Sequence, residues 1–330
     1  MKILEVKDLS IGFVSGKNKI TPTVSNVSFE LNRGEILALV GESGCGKSIS
    51  CMALSKLLPS PPAEVTGSIQ LKKRDGSTAN ILELSKKELR KIRGGEIAYI
   101  FQEPSVSLNP VFRIGNQIAE VLDLHRPEIE DQQAEVISLL KKVGIPAPEA
   151  RMKCYPHELS GGMQQRVMIA MALASNPSIL VADEPTTALD VTIQAQILDL
   201  LKQLRDEQGM SIILVTHNLG IVAEMADRVC VMYAGRIAET APVRELLDNP
   251  RHPYTQALLK AVPVLGGEKN RLSTIPGTVP LPADFPAGCR FCDRCELFAK
   301  TENAPCRDNV PNFREVKPGH LCACHFTGAC

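Results

Sequence analysis

Eight consecutive residues, Gly41-Glu42-Ser43-Gly44-Cys45-Gly46-Lys47-Ser48, have the form G-x-x-x-x-G-K-S/T, the spacing of a phosphate cradle. Glycines at 41, 44 and 46 let the backbone close around phosphate oxygens with its N–H groups turned inward. Lys47 is placed to reach the β- and γ-phosphates of a nucleotide, and Ser48 to ligate its Mg2+. Further along, Ile179-Leu180-Val181-Ala182-Asp183-Glu184-Pro185 is an apolar run that ends in two carboxylates. Charge at the end of a buried strand costs free energy unless it has a partner, and a metal-bound nucleotide supplies one. Asp183 fits a Mg2+ ligand, direct or through water, and Glu184 fits a general base that polarises an attacking water. A third block, Leu159-Ser160-Gly161-Gly162-Met163-Gln164-Gln165-Arg166, belongs to a helix N-terminus, so it can cap a phosphate.

These residues need elements to hold them, and residues 1–240 read as α/β. Glu35-Ile36-Leu37-Ala38-Leu39-Val40 is a buried strand running into the glycine loop, and the helix after it starts near Lys47. Further apolar strands are expected over Ile97 to Phe101, Ile179 to Ala182, Ser211 to Thr216 and Arg228 to Met232. Helical patterns separate most of them, including Val191 to Gln208. Strand–helix alternation implies a mostly parallel sheet covered on both faces. Between Ile114 and Tyr155 the pattern is helical, which places a helical insertion at about 105–165, and Lys72 to Ser77 reads as a hairpin turn. After about Ala241 prolines recur, so residues 241–330 are expected to form a separate, loop-rich module.

Composition narrows the class. The chain carries 37 basic against 37 acidic residues, so no basic field advertises nucleic acid, which is not expected as a partner. The longest uncharged stretch, Val167 to Ala182, is interrupted by Ser175-Asn176-Pro177-Ser178, whereas a membrane span needs roughly 20 mostly apolar residues. Charges at the N-terminus argue against a signal peptide, and a cytosolic chain is expected.

The glycine loop together with the Leu159–Arg166 block resembles the ATP-binding cassette (ABC) ATPases, which hydrolyse ATP between two subunits. The resemblance implies roles residue by residue. Gln102, in Phe101-Gln102-Glu103-Pro104, matches the Q-loop that senses γ-phosphate and Mg2+. Ser160, Gly161 and Gly162 match the signature that contacts ATP held by the opposite subunit. Ala188-Leu189-Asp190 matches the D-loop, His217 in Val215-Thr216-His217 the switch histidine, and Phe13 the aromatic ring against adenine. Cys45 sits inside the phosphate loop either as an oxidisable thiol or as a tolerated small side chain.

Three more stretches, Glu103 to Pro110, Asp183 to Thr192 and His252-Pro253-Tyr254-Thr255-Gln256-Ala257-Leu258-Leu259, are similar to the ATP-binding subunit of bacterial dipeptide and oligopeptide importers. That resemblance covers almost the whole chain. It implies two membrane permease subunits docked near the Q-loop and the helical insertion. It also implies a second ABC ATPase subunit, identical or homologous, and an extracytoplasmic solute-binding protein. The chain would then sit peripherally on the cytoplasmic face of the inner membrane. The alternative is a soluble ABC ATPase outside transport, as in iron–sulfur assembly or repair.

Seven of the eleven cysteines fall between Cys289 and Cys330. In a reducing cytosol such a cluster suggests metal more than disulfides. Four thiolates suit either a 4Fe–4S cluster or tetrahedral zinc. Relatives of the importer subfamily carry a cluster in this tail, and the matching positions are Cys289, Cys295, Cys306 and Cys324. Cys292 and Cys322 are extra thiols and alternate ligands, and Cys330 follows them.

Overall fold

The computed structural model describes residues 1–15, 19–187, 189–261 and 274–326. Its strands are β1 (Lys2–Ser15), β2 (Lys19–Asn32), β3 (Ile36–Val40), β4 (Ala63–Lys72), β5 (Thr78–Asn80), β6 (Ile97–Ile100), β7 (Ile179–Asp183), β8 (Ser211–Thr216), β9 (Arg228–Tyr233), β10 (Arg236–Pro242), β11 (Arg314–Lys317) and β12 (His320–Cys322). They form two sheets. The larger runs β11-β12-β10-β9-β3-β8-β7-β6, and the smaller runs β2-β1-β4-β5.

The five strands β9-β3-β8-β7-β6 are mutually parallel. All side chains of β3, β7 and β8 are buried, as expected for apolar runs covered on both faces. Their register brings the C-terminal ends level: Val40 lies opposite Thr216, Asp183 opposite Val215, and Ile100 opposite Ala182. The loops after β6, β7, β8 and β3 therefore emerge side by side along one edge, the place where parallel sheets bind ligands.

One face packs against the helices Ile114–His125, Gln132–Lys142 and Gly161–Ala174, through Ile118, Leu122, Leu140 and Ile169 among others. The other face packs against the antiparallel sheet, through Leu4, Leu31, Ile69 and Leu71 against Leu37, Leu39 and Val215. Sequence patterning does not foreshadow this antiparallel sheet beyond the hairpin that joins β4 to β5. β1 and β2 are bulged at several points, which breaks the alternation from which a half-buried strand is read.

The tail, expected as a separate loop-rich module, is joined to the main sheet by a strand and a shared core. Its last strand, β12, pairs antiparallel with β10, with Glu239 opposite Cys322, so it extends the main sheet. A third core cluster joins Val40, Val231 and Tyr233 to Tyr254, Phe291 and Cys295 of the tail. Glu239 is fully buried beneath this joint. Its carboxylate accepts from the backbone N–H groups of Arg251 (2.6 Å) and His252 (3.0 Å) and pairs with His320 Nε2 at 2.7 Å. A buried carboxylate with three partners is tolerable where a bare one is not.

Candidate nucleotide site

The strand edge opens into a cleft of about 650 Å3 lined by Gly41, Glu42, Ser43, Gly44, Gly46, Lys47, Ser48, Gln102, Glu184, Thr187, His217 and Leu258. The glycine loop leaves β3 and turns into the helix Lys47–Ala53, with Gly46 at φ 101° as its N-cap. Glycine is required at 41: a Cβ there would stand 2.2 Å from the carbonyl oxygen of Met232. Lys47 is 5% exposed, and its Nζ donates to the carbonyls of Gly41 (2.8 Å) and Glu42 (3.0 Å). Those contacts hold the ammonium over the floor of the loop. Cys45 is buried, and burial pushes its thiol above the usual range, the state of a packed small side chain more than a reactive one.

Across the cleft, Glu184 follows β7 with φ 45°, a left-handed conformation that costs a non-glycine residue free energy and concentrates at functional positions. Its carboxylate is held on both oxygens. Gln102 Nε2 donates to Oε2 at 3.0 Å, Thr187 Oγ1 donates to the same oxygen at 2.8 Å, and His217 Nδ1 lies 3.0 Å from Oε1. Burial works against the Glu184 charge, but the His217 and Thr187 hydrogen bonds outweigh it, leaving the carboxyl below its usual range. Gln102, Glu184 and His217, taken from three separate stretches of sequence, thus meet in one hydrogen-bonded set. Thr187 belongs to it and is absent from the residues that the sequence singles out. A threonine three residues beyond a strand-end glutamate carries no signal until the turn brings it back.

Asp183, 4% exposed at the end of β7, has an Oδ1 with no hydrogen-bond partner. Burial raises its carboxyl above the usual range, while the Ser48 hydroxyl works in the opposite direction. An orphaned carboxylate oxygen beside Ser48 fits a divalent cation, the partner that would make an ionised Asp183 tolerable there.

Other predicted residues lie elsewhere. Ser160 caps the helix Gly161–Ala174, accepting from Met163 N at 3.4 Å, and Ser160 and Gly161 are exposed and outside the cleft lining. Gly162 is partly exposed at the same helix start. Asp190 is exposed and caps the helix Val191–Gln208 through Ile193 N at 2.9 Å. Phe13 sits in β1 between Thr21 and Ala63, partly buried against the antiparallel-sheet core, and is not among the cleft-lining residues. Ala188 and Cys330 lie outside the described residues.

The cysteine tail is gathered but not assembled into a ligand set. Cys289 has Cys306, Cys324 and Cys292 near enough to disfavour its thiolate, though burial is the larger cause that pushes its thiol up to about 12. Cys289 N donates to Cys306 O at 2.7 Å, and Cys292 and Cys295 follow in a tight turn. Yet among the described residues no three His, Cys, Asp or Glu side chains are placed to hold a metal ion. The expected set Cys289, Cys295, Cys306 and Cys324, with Cys292 and Cys322 as alternates, is therefore not supported as a ligand set among the described residues. Cys295 packs in the third core cluster and, with Cys292, lies near enough to Cys306 to help raise its thiol, though burial is the larger cause, and Cys322 lies within β12.

Comparison with known proteins agrees with this geometry. Residues 24–187 match the ABC transporter family, and residues 238–302 match the family described as the oligopeptide/dipeptide transporter C-terminal region. The oligopeptide transport ATP-binding protein AppD of Bacillus subtilis is 46% identical over 98% of this chain and 96% of its own length. Its counterpart OppD from the same organism is 49% identical over 91% of this chain and 83% of its own. Among solved structures, a dimeric ATP-binding cassette in a post-hydrolysis state with ADP and Pi superposes with a TM-score of 0.64 at 28% identity, covering 73% of this chain and 99% of that one. CbiO1 of Clostridium perfringens, part of a cbiONQ transporter complex, gives 0.61 at 29% identity over 75% of this chain and 91% of its own.

Proposed function

The chain belongs to the ATP-binding subunits of peptide ABC transporters, and from that premise we propose that it hydrolyses ATP to drive import of di- or oligopeptides. The observation that carries the reading is the cleft itself, where Lys47 faces a glutamate fixed by Gln102, Thr187 and His217. Glu184 is held ionised and aimed, the state a general base needs. Its carboxylate orients a water and takes its proton as the water's oxygen attacks the γ-phosphorus, while the bond to the β–γ bridging oxygen breaks and ADP leaves with that oxygen. His217, on the other carboxylate oxygen, keeps the base in line. Lys47 and the loop N–H groups neutralise phosphate charge, so catalysis is positioning and charge stabilisation. Mg2+ would be held by Ser48, Asp183 and Gln102 and would supply charge neutralisation at the phosphates.

Ser160, Gly161 and Asp190 face outward from this chain's own cleft, which supports a second ATPase subunit presenting its signature to ATP bound here. Phe101, Val106, Val111 and Phe112 are exposed apolar side chains at and just after the Q-loop, Val106 at 78% and Val111 at 72%. Such a patch supports the docking of two permease subunits there. No helix among the described residues is long and apolar enough to cross a membrane, so attachment to the inner face of the membrane would come through those partners. The solute-binding protein is implied by the same system. The match of residues 238–302 to the transporter C-terminal region disfavours an ABC ATPase outside transport.

A 4Fe–4S cluster, or zinc in its place, is the finer part of this proposal. The clustering of thiols supports it and the lack of three convergent side chains among the described residues opposes it. Anaerobic purification with iron, sulfide and zinc analysis decides between them. For transport, the chain is reconstituted with its permeases in vesicles, and peptide uptake is measured with and without ATP on the ATPase side. ATP-dependent uptake is expected, and ATP hydrolysis without any peptide uptake would sink the import reading.

A further inference from the structure

The glycine loop contains one acidic residue, Glu42, in a stretch that binds an anion. A carboxylate lining that cleft should repel a polyphosphate unless something cancels it. The structure provides a partner from the far end of the chain. Arg294, whose side chain is 6% exposed, donates from Nη1 to Glu42 Oε2 at 2.7 Å and from Nη2 to Oε1 at 3.0 Å. This two-pronged pair is the strongest arrangement of the two groups. The fork is itself fixed: Nε donates to the carbonyl of Pro276 at 2.8 Å, and Nη1 also reaches the Tyr233 hydroxyl at 3.3 Å.

The tail holds the backbone of the same residue. The Tyr254 hydroxyl accepts from Glu42 N–H at 2.9 Å. His252 places that tyrosine, because its Nδ1 caps the helix Pro253–Lys260 by accepting from Tyr254 N at 3.1 Å. Burial lowers the His252 imidazole to about 4, so it stays neutral and can accept. The Glu42 carbonyl in turn accepts from Lys47 Nζ at 3.0 Å. One residue of the loop is thus fixed by the tail at its side chain and its N–H, and passes that constraint to the lysine that meets phosphate.

We propose that Arg294 is a positioning residue of the nucleotide site, which acts through Glu42 by cancelling its charge and fixing the loop that carries Lys47. The proposal rests on the ATP reading of the cleft and assigns part of its affinity to the C-terminal tail. It also explains the His252-Pro253-Tyr254 run, in which the histidine caps a helix, the proline starts it and the tyrosine delivers a hydroxyl to the phosphate loop.

The test is equilibrium MgATP binding by the full chain as wild type, Arg294→Ala, Glu42→Gln and the double variant, with a thermal melt of each. Arg294→Ala should weaken ATP binding about tenfold, the scale of one charge interaction lost in a partly buried site. In the assembled transporter it should raise KM for ATP more than it lowers kcat. Adding Glu42→Gln removes the uncancelled charge and should recover affinity to within about threefold of wild type, converting about two-thirds of a kcal/mol by the constant of 1.4 kcal/mol per tenfold. A merely structural arginine would not be rescued, since the glutamine cannot restore its contacts to the carbonyls of Ile275, Pro276 and Gly277. Wild-type affinity in Arg294→Ala, or a double variant as weak as Arg294→Ala alone, would overturn the proposal. If Arg294→Ala does not fold, Arg294→Lys keeps the charge without the fork, and a loss of affinity equal to that of Arg294→Gln would overturn charge cancellation. Failure of the wild-type chain to bind ATP would instead overturn the nucleotide reading itself, and this proposal with it.

Discussion

Two glutamates line the nucleotide cleft, and they are held by different parts of the chain. Glu184, after β7, is fixed by Gln102, Thr187 and His217, all from loops along the same strand edge. Glu42, after β3, is fixed by Tyr254 and Arg294, more than two hundred residues away in sequence. The first arrangement holds a carboxylate ionised and aimed, as the proposed base requires. The second ties a carboxylate up so that it does not compete with phosphate. Within this chain the proposed base is held by the strand-edge loops, while the phosphate loop is also held by the tail.

Mutations should separate the two. On ATP binding the largest effect is expected of Lys47→Ala, which removes the buried ammonium and should weaken equilibrium binding on the order of 10²–10³-fold. His217→Ala should lower kcat of the assembled transporter on the order of 10²-fold, since general-base catalysis contributes about 10²–10⁴-fold and Glu184 would lose its alignment. The same variant carries a signed pH effect. His217 helps hold the Glu184 carboxyl below its usual range, so removing it raises that pKa, and the acid limb of the pH–rate profile should move to higher pH. An acid limb that stays in place would break the pairing of His217 with Glu184.

Smaller effects belong to the tail. Tyr254→Phe removes only the acceptor of Glu42 N–H and should weaken ATP binding by about threefold to tenfold, the scale of one unsatisfied donor, with kcat nearly unchanged. His252→Ala should cost about 1 kcal/mol of stability in a thermal or urea melt, the usual loss for a helix cap, and a further slight loss in ATP affinity. If His252→Ala were to lower kcat as strongly as His217→Ala, the division between the two regions would fail.

The central strands were legible because each is a short apolar run with no polar interruption, and all five appear within a residue or so of their expected bounds. Lys47, Asp183 and Glu184 stand out because a glycine loop and a carboxylate pair follow two of those strands, whereas Gln102 and His217 enter only through the family resemblance. The antiparallel sheet was not legible, because bulges in β1 and β2 disturb the alternation that marks a half-buried strand. Arg294 was hidden by its neighbours. Between Cys292 and Cys295 the thiols draw attention to metal, whereas the contact that reaches the nucleotide site is made by the arginine. Tyr254 stands in a run that reads as a family marker, but the path from its hydroxyl to Glu42 exists only once β9 and β10 bring the tail beside the phosphate loop.

The most direct test of the account is Glu184→Gln in the assembled transporter, with ATP binding and steady-state hydrolysis measured on the same preparation. The substitution keeps the size of the side chain and removes the base. The account predicts that ATP remains bound while hydrolysis falls by about 10²–10⁴-fold. Hydrolysis at the wild-type rate would contradict it, because Glu184 would then not be the base that the cleft is built around.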